Sequence, residues 1–130
     1  MGSHEAVVDG ISGMIFGIWA PDARRVSVIG AFNKWDGRVF QMEKDYDTGI
    51  FFLFIPDMKP KTPYCYEIKL KDGQVVKKAD PYAQYASNDV IYASLAGVNP
   101  EEKNFKWTDA GWKQEDTKHK PLSICEIDIL

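Results

Sequence analysis

The sequence lacks several features that mark whole classes of protein. No apolar run in its 130 residues approaches the roughly 20 residues that a membrane-spanning helix needs. The N-terminus does not show the pattern of a signal peptide. The net charge is −3 and the pI is about 5.3, so no excess of basic residues favours nucleic acid or an anionic membrane as a partner. We therefore expect neither a nucleic acid nor a membrane among the partners of this chain.

Residues for catalysis and metal binding are also scarce. The two cysteines, Cys65 and Cys125, form no metal or redox motif, and we interpret them as reduced core thiols of a cytoplasmic protein. The two histidines, His4 and His119, lie near the ends and away from any nucleophile motif. None of the 19 acidic residues stands in a recognisable acid/base motif. The sequence thus predicts no cofactor, no metal and no catalytic residue in this chain.

What the sequence does contain is a series of short β-rich runs. Hydrophobic residues make up 45% of the chain, which is enough for a normal core in one domain. Turn signals recur every eight to twelve residues, and no helical period is sustained. This pattern is typical of an all-β, immunoglobulin-like antiparallel β-sandwich. We predict strands at 14–19, 25–29, 39–43, 50–55, 64–70, 75–79 and 90–95.

Some local features of these runs can also be predicted. The short gap between the first two runs indicates a hairpin-like connection. Residues 71–74 contain an Asp-Gly signal and predict a hairpin turn. Alternation in the run at 64–70 places Tyr64 and Tyr66 on one face, which we expect to contact the core or the sheet. Trp19 lies in a strand before an Ala-Pro stop, and we interpret it as a core residue.

One stretch, residues 28–38, combines the end of a strand with an unusual turn. The strand breaks at Gly30, and the sequence Asn-Lys-Trp-Asp-Gly follows at 33–37. A tryptophan beside an Asp-Gly turn is expected at the rim of a fold rather than in its core. We therefore single out Trp35 as a candidate for contact with a ligand or with a neighbouring domain.

The character of the chain changes after residue 97. Asn99 and Pro100 suit a helix start, and the polar run that follows carries Trp107 and Trp112 as isolated anchors. The last run is again β-like and apolar. We expect three parts, namely a β-sandwich at 1–98, a short and partly helical connector at 99–122, and the first strand of a truncated neighbouring domain at 123–130.

Four stretches of the sequence resemble carbohydrate-binding module family 48, at 16–23, 26–38, 64–68 and 78–83. The chain is more specifically similar to the amino-terminal module of bacterial glycogen (1,4-alpha-glucan) branching enzymes. Residues 121–127 resemble the run that opens the catalytic barrel of these enzymes, so the resemblance makes 123–130 the first barrel strand. Residues 1–4 are either a tag remnant or the native opening of the module.

The resemblance implies a non-catalytic module that binds or positions alpha-glucan weakly and packs on the catalytic barrel of the same polypeptide. The parent would be a glycoside hydrolase family 13 branching enzyme. Its retaining transglycosylation cuts an alpha-1,4 chain and rejoins it as an alpha-1,6 branch. The catalytic acids of such an enzyme belong to the barrel, which is absent from this chain. The expected partners are therefore alpha-glucan, such as glycogen or a starch-like polymer, and the catalytic barrel.

The resemblance also implies a set of carbohydrate-binding residues: Trp35, Asn33, Lys34 and Asn88. A glucose ring is held by an aromatic ring against its C–H face and by amides, acids and lysines at its hydroxyls. Free-standing glycogen binders of the family, such as the beta subunit of AMP-activated kinase, clamp a glucan between two tryptophans. Trp35 corresponds to the first tryptophan, whereas Val75 stands in place of the second. Glu67 lies near the position of a lysine that lines the sugar in those binders. Half of the clamp is missing, so we expect weak binding.

Two other interpretations of the sequence belong to different functional classes. In the first, the module is purely structural, and Trp35 caps the sandwich or packs on a neighbour. Tyr82 and Tyr85 lie in a loop and either contact sugar or pack on the partner domain, and we favour packing. This interpretation predicts an apolar patch on one face and self-association, with 123–130 as the candidate strand. In the second, the chain is an immunoglobulin-like adaptor for a protein partner, since the fold alone does not decide function.

Overall fold

The structure is a computed structural model that describes residues 1–90, 92–97, 106 and 108. A short 3₁₀ helix, Ala31–Asn33, follows the third strand. The strands within the described residues are Gly2–Val8 (β1), Ile11–Trp19 (β2), Ala23–Ile29 (β3), Glu43–Lys44 (β4), Ile50–Pro56 (β5), Pro63–Leu70 (β6), Val75–Lys78 (β7), Tyr85–Ala86 (β8) and Ser94–Leu95 (β9).

The strands form two sheets whose described pairings are all antiparallel. The first sheet has the order β1-β2-β5-β4, and the second has the order β3-β6-β9-β8 with β7 also paired to β6. Strand β6 is the centre of the second sheet: β3 lies along one edge, while β9 and β7 share the other edge end to end. The predicted immunoglobulin-like β-sandwich is thereby confirmed.

The core lies between the two sheets and follows the two-residue period of the strands. The first sheet contributes Met14, Phe16 and Ile18 from β2, and the second contributes Tyr64 and Tyr66 from β6, all at most 5% exposed. The rings of Phe16 and Tyr64 meet edge to face at 4.9 Å between centroids. Full burial of each such side chain stabilises the fold by about 1.5–3 kcal/mol. The predicted inward positions of the two tyrosines are confirmed.

The predicted hairpin between β2 and β3 is wrong. The two strands belong to different sheets, and β2 pairs with β1 and β5 while β3 pairs with β6. The short connection between them is a turn in which the Ala23 N–H donates to the Ala20 carbonyl at 3.0 Å. Both strands carry large apolar side chains. If the chain crosses from one sheet to the other, the side chains of β2 and β3 pack against each other in the core, and this favours an arch over a hairpin within one sheet.

Three other boundaries differ from the sequence prediction. Strand β1 was not predicted, yet it pairs with β2 along its whole length, and Ser3 within it accepts a 2.9 Å hydrogen bond from the Gly97 N–H. The run at 39–43 is not one regular strand: Gln41 makes a single bridge to Ser27 of β3, and the two-residue β4 begins only at Glu43. The last described strand, β9, holds two residues instead of the six predicted at 90–95, and the chain bends at Val90.

Trp19 is 60% exposed, so its predicted place in the core is wrong. Ile18 occupies the inward position of β2, and the alternation of a strand then turns Trp19 outward. The indole Nε1 donates a 3.1 Å hydrogen bond to the Thr48 carbonyl, which holds the ring against the outside of the first sheet. The size of the indole suggested burial, but the position of Trp19 in the strand determines that it faces solvent.

Trp19 belongs to an exposed apolar surface on the outside of the first sheet, which we call the apolar face. The register of β1, β2 and β5 places its members on the same side of the sheet. They are each between 39% and 60% exposed: Val8, Ile11, Ile15, Trp19 and Phe52. A contiguous patch of this kind is typical of a surface that contacts another molecule or domain.

Several predictions fall on residues outside the described ranges. They are the connector at 99–122 apart from residues 106 and 108, the strand at 123–130, the thiol of Cys125 and the position of His119. The thiol of Cys65 is described and buried, as predicted. Among the described residues, no cluster of three or more His, Cys, Asp or Glu side chains is arranged to hold a metal ion. The same residues contain no helix long and apolar enough to cross a membrane.

Candidate functional site

The candidate site is built on the turn that follows β3. The Trp35 N–H donates a 2.8 Å hydrogen bond to the Gly30 carbonyl, and the Asn33 N–H donates to the same oxygen at 3.2 Å. Lys34 and Trp35 both have left-handed backbone conformations, with φ of 55° and 59°. Two successive non-glycine residues in this region are rare and carry strain, so the surrounding contacts hold the turn in place.

Asn33 supplies most of those contacts and is itself buried. Its Oδ1 accepts a 2.9 Å hydrogen bond from the Gly30 N–H, and its Nδ2 donates to the carbonyls of Val28 at 2.9 Å and Asp36 at 3.3 Å. Both N–H groups of the side-chain amide are therefore used inside the protein. Asn33 lies within the predicted site, where it positions the turn, whereas Lys34 is exposed and Trp35 is half-buried at the surface.

An ion pair closes the far side of the turn. Arg38 donates from Nε and Nη2 to the carboxylate of Asp36, at 2.9 Å and 2.6 Å, and its backbone N–H donates to the same carboxylate at 2.9 Å. These hydrogen bonds from the Arg38 side chain and backbone lower the pKa of Asp36 to about 2. The ionised carboxylate therefore holds Arg38 against Asp36 at the end of the turn.

The turn lies against the outer face of the second sheet. Gly37 contacts the carboxylate of Glu67 on β6 so closely that a Cβ at this position would collide with it. The Glu67 carboxylate is also paired with Arg25 on β3 at 2.7 Å. Glu67, which the resemblance sets near a sugar-lining lysine, is thus an acid paired with a neighbouring strand. The hydroxyl of Ser27, opposite Glu67 in the register, is buried without a described partner.

The remaining predicted residues lie around β6. Val75, which the resemblance sets in place of a second tryptophan, is 49% exposed and stands opposite Lys69 on the outer face. Asn88 is exposed in the segment between β8 and β9. The turn that carries Trp35 follows Ile29, which pairs with Cys65, and β9 pairs with Tyr64 on the other edge of β6. The topology therefore places Trp35 and the Asn88 segment at the same end of the second sheet, on opposite sides of its central strand.

Comparison with known proteins places this arrangement in a family. Residues 1–83 match the family described as carbohydrate-binding module 48 (isoamylase N-terminal domain). The chain belongs to carbohydrate-binding module family 48. Two curated relatives are named 1,4-alpha-glucan branching enzyme GlgB. The one from Nitrosococcus oceani is 41% identical over 134 residues, and the one from Bordetella pertussis is 41% identical over 131 residues.

These relatives match nearly the whole module but are much longer. The matches cover 99% and 98% of this chain, and the chain spans 18% of the length of each relative. Solved pullulanase structures share the fold. The pullulanase from Bacillus acidopullulyticus superposes with a TM-score of 0.58 at 22% identity, over 85% of this chain and 13% of that one. The apo pullulanase from Paenibacillus barengoltzii gives 0.57 at 20% identity, over 92% and 17%.

A buried carboxylate in the module ties the Asn88 segment to the core, and the sequence analysis did not find it. Asp80 Oδ2 accepts hydrogen bonds from the hydroxyls of Tyr64 at 2.5 Å and Tyr66 at 3.0 Å, and its Oδ1 accepts from the Tyr82 N–H at 2.8 Å. The Asp80 N–H donates to the hydroxyl of Ser94 on β9 at 3.0 Å. The sequence did contain a signal for this site, namely an Asp-Pro-Tyr run after β7 together with two tyrosines whose alternation points them inward.

The segment between β8 and β9 is closed by bonds of its own. The Ser87 N–H donates to the Ala93 carbonyl at 2.8 Å, and the Ser87 hydroxyl accepts from the Val90 N–H at 3.1 Å. With the Asp80 contacts, these bonds fix both ends of the segment. Asn88 is therefore presented from an anchored loop, as is Trp35. Tyr82 is 59% exposed and Tyr85 is half-buried, so Tyr82 offers an aromatic surface to solvent.

Proposed function

We propose that this chain is the non-catalytic module of a 1,4-alpha-glucan branching enzyme, and that it binds alpha-glucan weakly through Trp35 and packs on the catalytic domain. Membership of the family and the names of the relatives support the parent enzyme. The observation that carries the sugar contact is the turn at 30–38. It holds an indole at the surface in a strained backbone conformation that a merely apolar cap does not need.

The chemistry of the surface suits a neutral sugar. The indole of Trp35 offers a flat apolar ring for the C–H face of glucose. Lys34 and Asn88 are exposed side chains with donors for hydroxyl oxygens. Asn33 has both N–H groups engaged, so we assign it a positioning role within this surface. The proposed contact residues are therefore Trp35, Lys34 and Asn88, with Asn33 beneath them.

The expected affinity is low. One stacked aromatic ring contributes about 1–3 kcal/mol before ordering costs, by analogy with the stacking of bases on aromatic side chains. Val75 supplies no second ring. We therefore expect a dissociation constant no tighter than about 1 mM, which corresponds to a net free energy of about −4 kcal/mol. Such weak binding is useful in an enzyme that acts on a polymer, because many sugar residues are offered at once and the catalytic domain makes its own contacts.

The catalytic step is assigned to the rest of the parent enzyme. The retaining transglycosylation that makes an alpha-1,6 branch needs a nucleophilic carboxylate and an acid/base carboxyl group close together. The chain spans 18% of its relatives, and we place those carboxyl groups in the remaining length. The module then supplies binding and orientation for the glucan.

A second candidate function, a structural module without meaningful sugar binding, is favoured by the apolar face. Five exposed apolar side chains on one sheet leave a surface that water solvates poorly. We assign the catalytic domain of the same polypeptide as the occupant of this face, because most of the length of the relatives lies outside this chain. The apolar face lies on the first sheet and Trp35 follows β3 of the second, so packing through this face does not depend on sugar binding at Trp35.

Affinity electrophoresis in gels that contain glycogen tests the sugar contact. We expect weak retardation of the wild-type chain and its loss in Trp35→Ala. Trp19→Ala is the matched control, since it removes an exposed indole from the opposite side of the sandwich. Retardation that survives Trp35→Ala would place the binding site elsewhere. No retardation of the wild type leaves the structural function as the better account.

A further inference from the structure

A row of side chains crosses the outer face of the second sheet beneath the Trp35 turn. The strand register places Ser27 of β3 opposite Glu67 of β6, and Glu67 opposite Lys77 of β7. Directly opposed residues in an antiparallel pair point to the same face. Glu67 faces outward, because Tyr66 beside it on β6 points into the core. The row therefore runs from a buried serine under the turn to an exposed lysine at the open edge.

Cys65 lies on the same face of β6, two residues before Glu67, and the register places Lys77 on that face as well. Burial raises the pKa of the Cys65 thiol, while the positive charge of Lys77 opposes the shift and the negative charge of Glu67 adds to it. Glu67 is engaged by Arg25, whereas Lys77 is exposed and has no hydrogen-bond or ion-pair partner among the described residues.

Lys77 is placed to contact a ligand that rests on Trp35. Neighbouring strands lie about 4.8 Å apart, so β7 is about 10 Å from β3 across the sheet. Gly37 of the turn contacts Glu67, which belongs to the same row as Lys77. A flexible four-carbon side chain spans part of that gap. An oligosaccharide stacked on Trp35 and lying along the row then brings its next hydroxyls to the ammonium group.

We propose that Lys77 is a further alpha-glucan contact residue, whose ammonium group donates hydrogen bonds to sugar hydroxyls beside the ring stacked on Trp35. Glu67 occupies the central position of the row and is engaged by Arg25, so the donor to the sugar is supplied from the adjacent strand β7. This proposal rests on the proposed function, since it requires a glucan at Trp35. It adds a polar contact at the end of the surface where Val75 provides no aromatic ring.

The test compares two adjacent lysines of one strand. Lys77→Ala and Lys78→Ala remove the same charge from β7, but Lys78 stands opposite Tyr66 and belongs to the other face. Each variant is run with wild type and Trp35→Ala in gels with and without glycogen, so that mobility is corrected for charge. We expect Lys77→Ala to bind glycogen about fivefold more weakly, the value of one hydrogen bond, with Lys78→Ala unchanged. Lys77→Gln, which keeps an amide donor, should recover part of the loss.

The outcomes separate this proposal from the one it rests on. If Trp35→Ala abolishes retardation and Lys77→Ala behaves as wild type, Lys77 is not a contact residue and the glucan site stands. If Lys77→Ala and Lys78→Ala lose glycogen binding equally, the loss is a general effect of charge, and the proposed contact of Lys77 with sugar is wrong. Absence of retardation in the wild type removes both proposals together. Thermal unfolding of the two variants checks that each remains folded.

Discussion

The hydroxyl of Tyr64 donates a 2.5 Å hydrogen bond to the carboxylate of Asp80, and both groups are buried inside the sandwich. The pair joins the central strand of the second sheet to the turn after β7. Tyr66 and the Tyr82 N–H complete the shell around the carboxylate. No cation of the described residues pairs with this buried carboxylate. It is tolerated because hydrogen bonds surround it, so the fold depends on each of its donors.

Removal of this carboxylate is expected to destabilise the module strongly. Asp80→Ala leaves two phenol hydroxyls and one backbone N–H without their acceptor, and we expect a loss of about 3–5 kcal/mol in the free energy of unfolding. Urea denaturation measures the loss as a lower midpoint at unchanged slope. Asp89→Ala, at an exposed aspartate of the neighbouring loop, is the control and should change stability by less than about 0.5 kcal/mol. A similar result for both variants would contradict the structural role of Asp80.

The same buried tyrosines predict a loss of stability in alkaline solution. Burial raises the pKa of Tyr64 and Tyr66 above the ordinary value of 10.0, and the nearby Asp80 carboxylate adds to the shift. Both phenols ionise in the unfolded chain above pH 10 but stay neutral in the folded one. Their contribution is therefore complete below about pH 10 and is lost as the pH rises further.

Urea denaturation at increasing pH tests this dependence. We expect the free energy of unfolding to fall above pH 10 with a limiting slope of about 2.7 kcal/mol per pH unit for the two groups. Tyr64→Phe should reduce the slope by half, although it also lowers stability at every pH. Tyr46→Phe removes a phenol that is 87% exposed and should leave the slope unchanged. A flat profile above pH 10 would show that the two phenols ionise freely in the folded state.

The fold class was predictable from the sequence because strand alternation and turn chemistry are local signals. Alternation placed Tyr64 and Tyr66 in the core, and the Asp-Gly signal located the turn between β6 and β7, where Gly73 has a φ of 90°. The arch from β2 to β3 was not predictable in this way. It depends on which sheet each strand joins, and that choice is set by long-range packing rather than by the connecting residues.

The candidate site was predictable only in part. The position of Trp35 at the rim followed from its turn sequence, but the engagement of the Asn33 amide depends on carbonyls of Val28 and Asp36 that only the folded turn brings within reach. The row that ends at Lys77 depends on strand register. The register is set when three strands pair, and it cannot be predicted from the sequence of any one strand alone.

Asn33 and Asn88 are expected to act on glucan binding in different ways. Asn33→Ala leaves the buried Gly30 N–H without its acceptor and frees the turn, so we expect both stability and glycogen retardation to fall, the first by about 2 kcal/mol. Asn88→Ala alters an exposed side chain and should weaken retardation without a change in unfolding. Urea denaturation and affinity electrophoresis on the same samples separate the two effects. Loss of stability in Asn88→Ala would assign it a structural role instead.

The apolar face predicts self-association of this chain when it is studied alone. In the proposed parent enzyme the catalytic domain covers Trp19, Phe52 and their neighbours, whereas in isolation these side chains are open to a second copy. We expect sedimentation velocity to show a concentration-dependent oligomer that Trp19→Ser with Phe52→Ser converts to monomer. Trp35→Ala, which leaves the face intact, should keep the oligomer.

A chain truncated after residue 120 tests the other candidate, the run at 123–130. If truncation alone yields the monomer and the serine variants do not, the contact is made by that run and the apolar face plays no part in it.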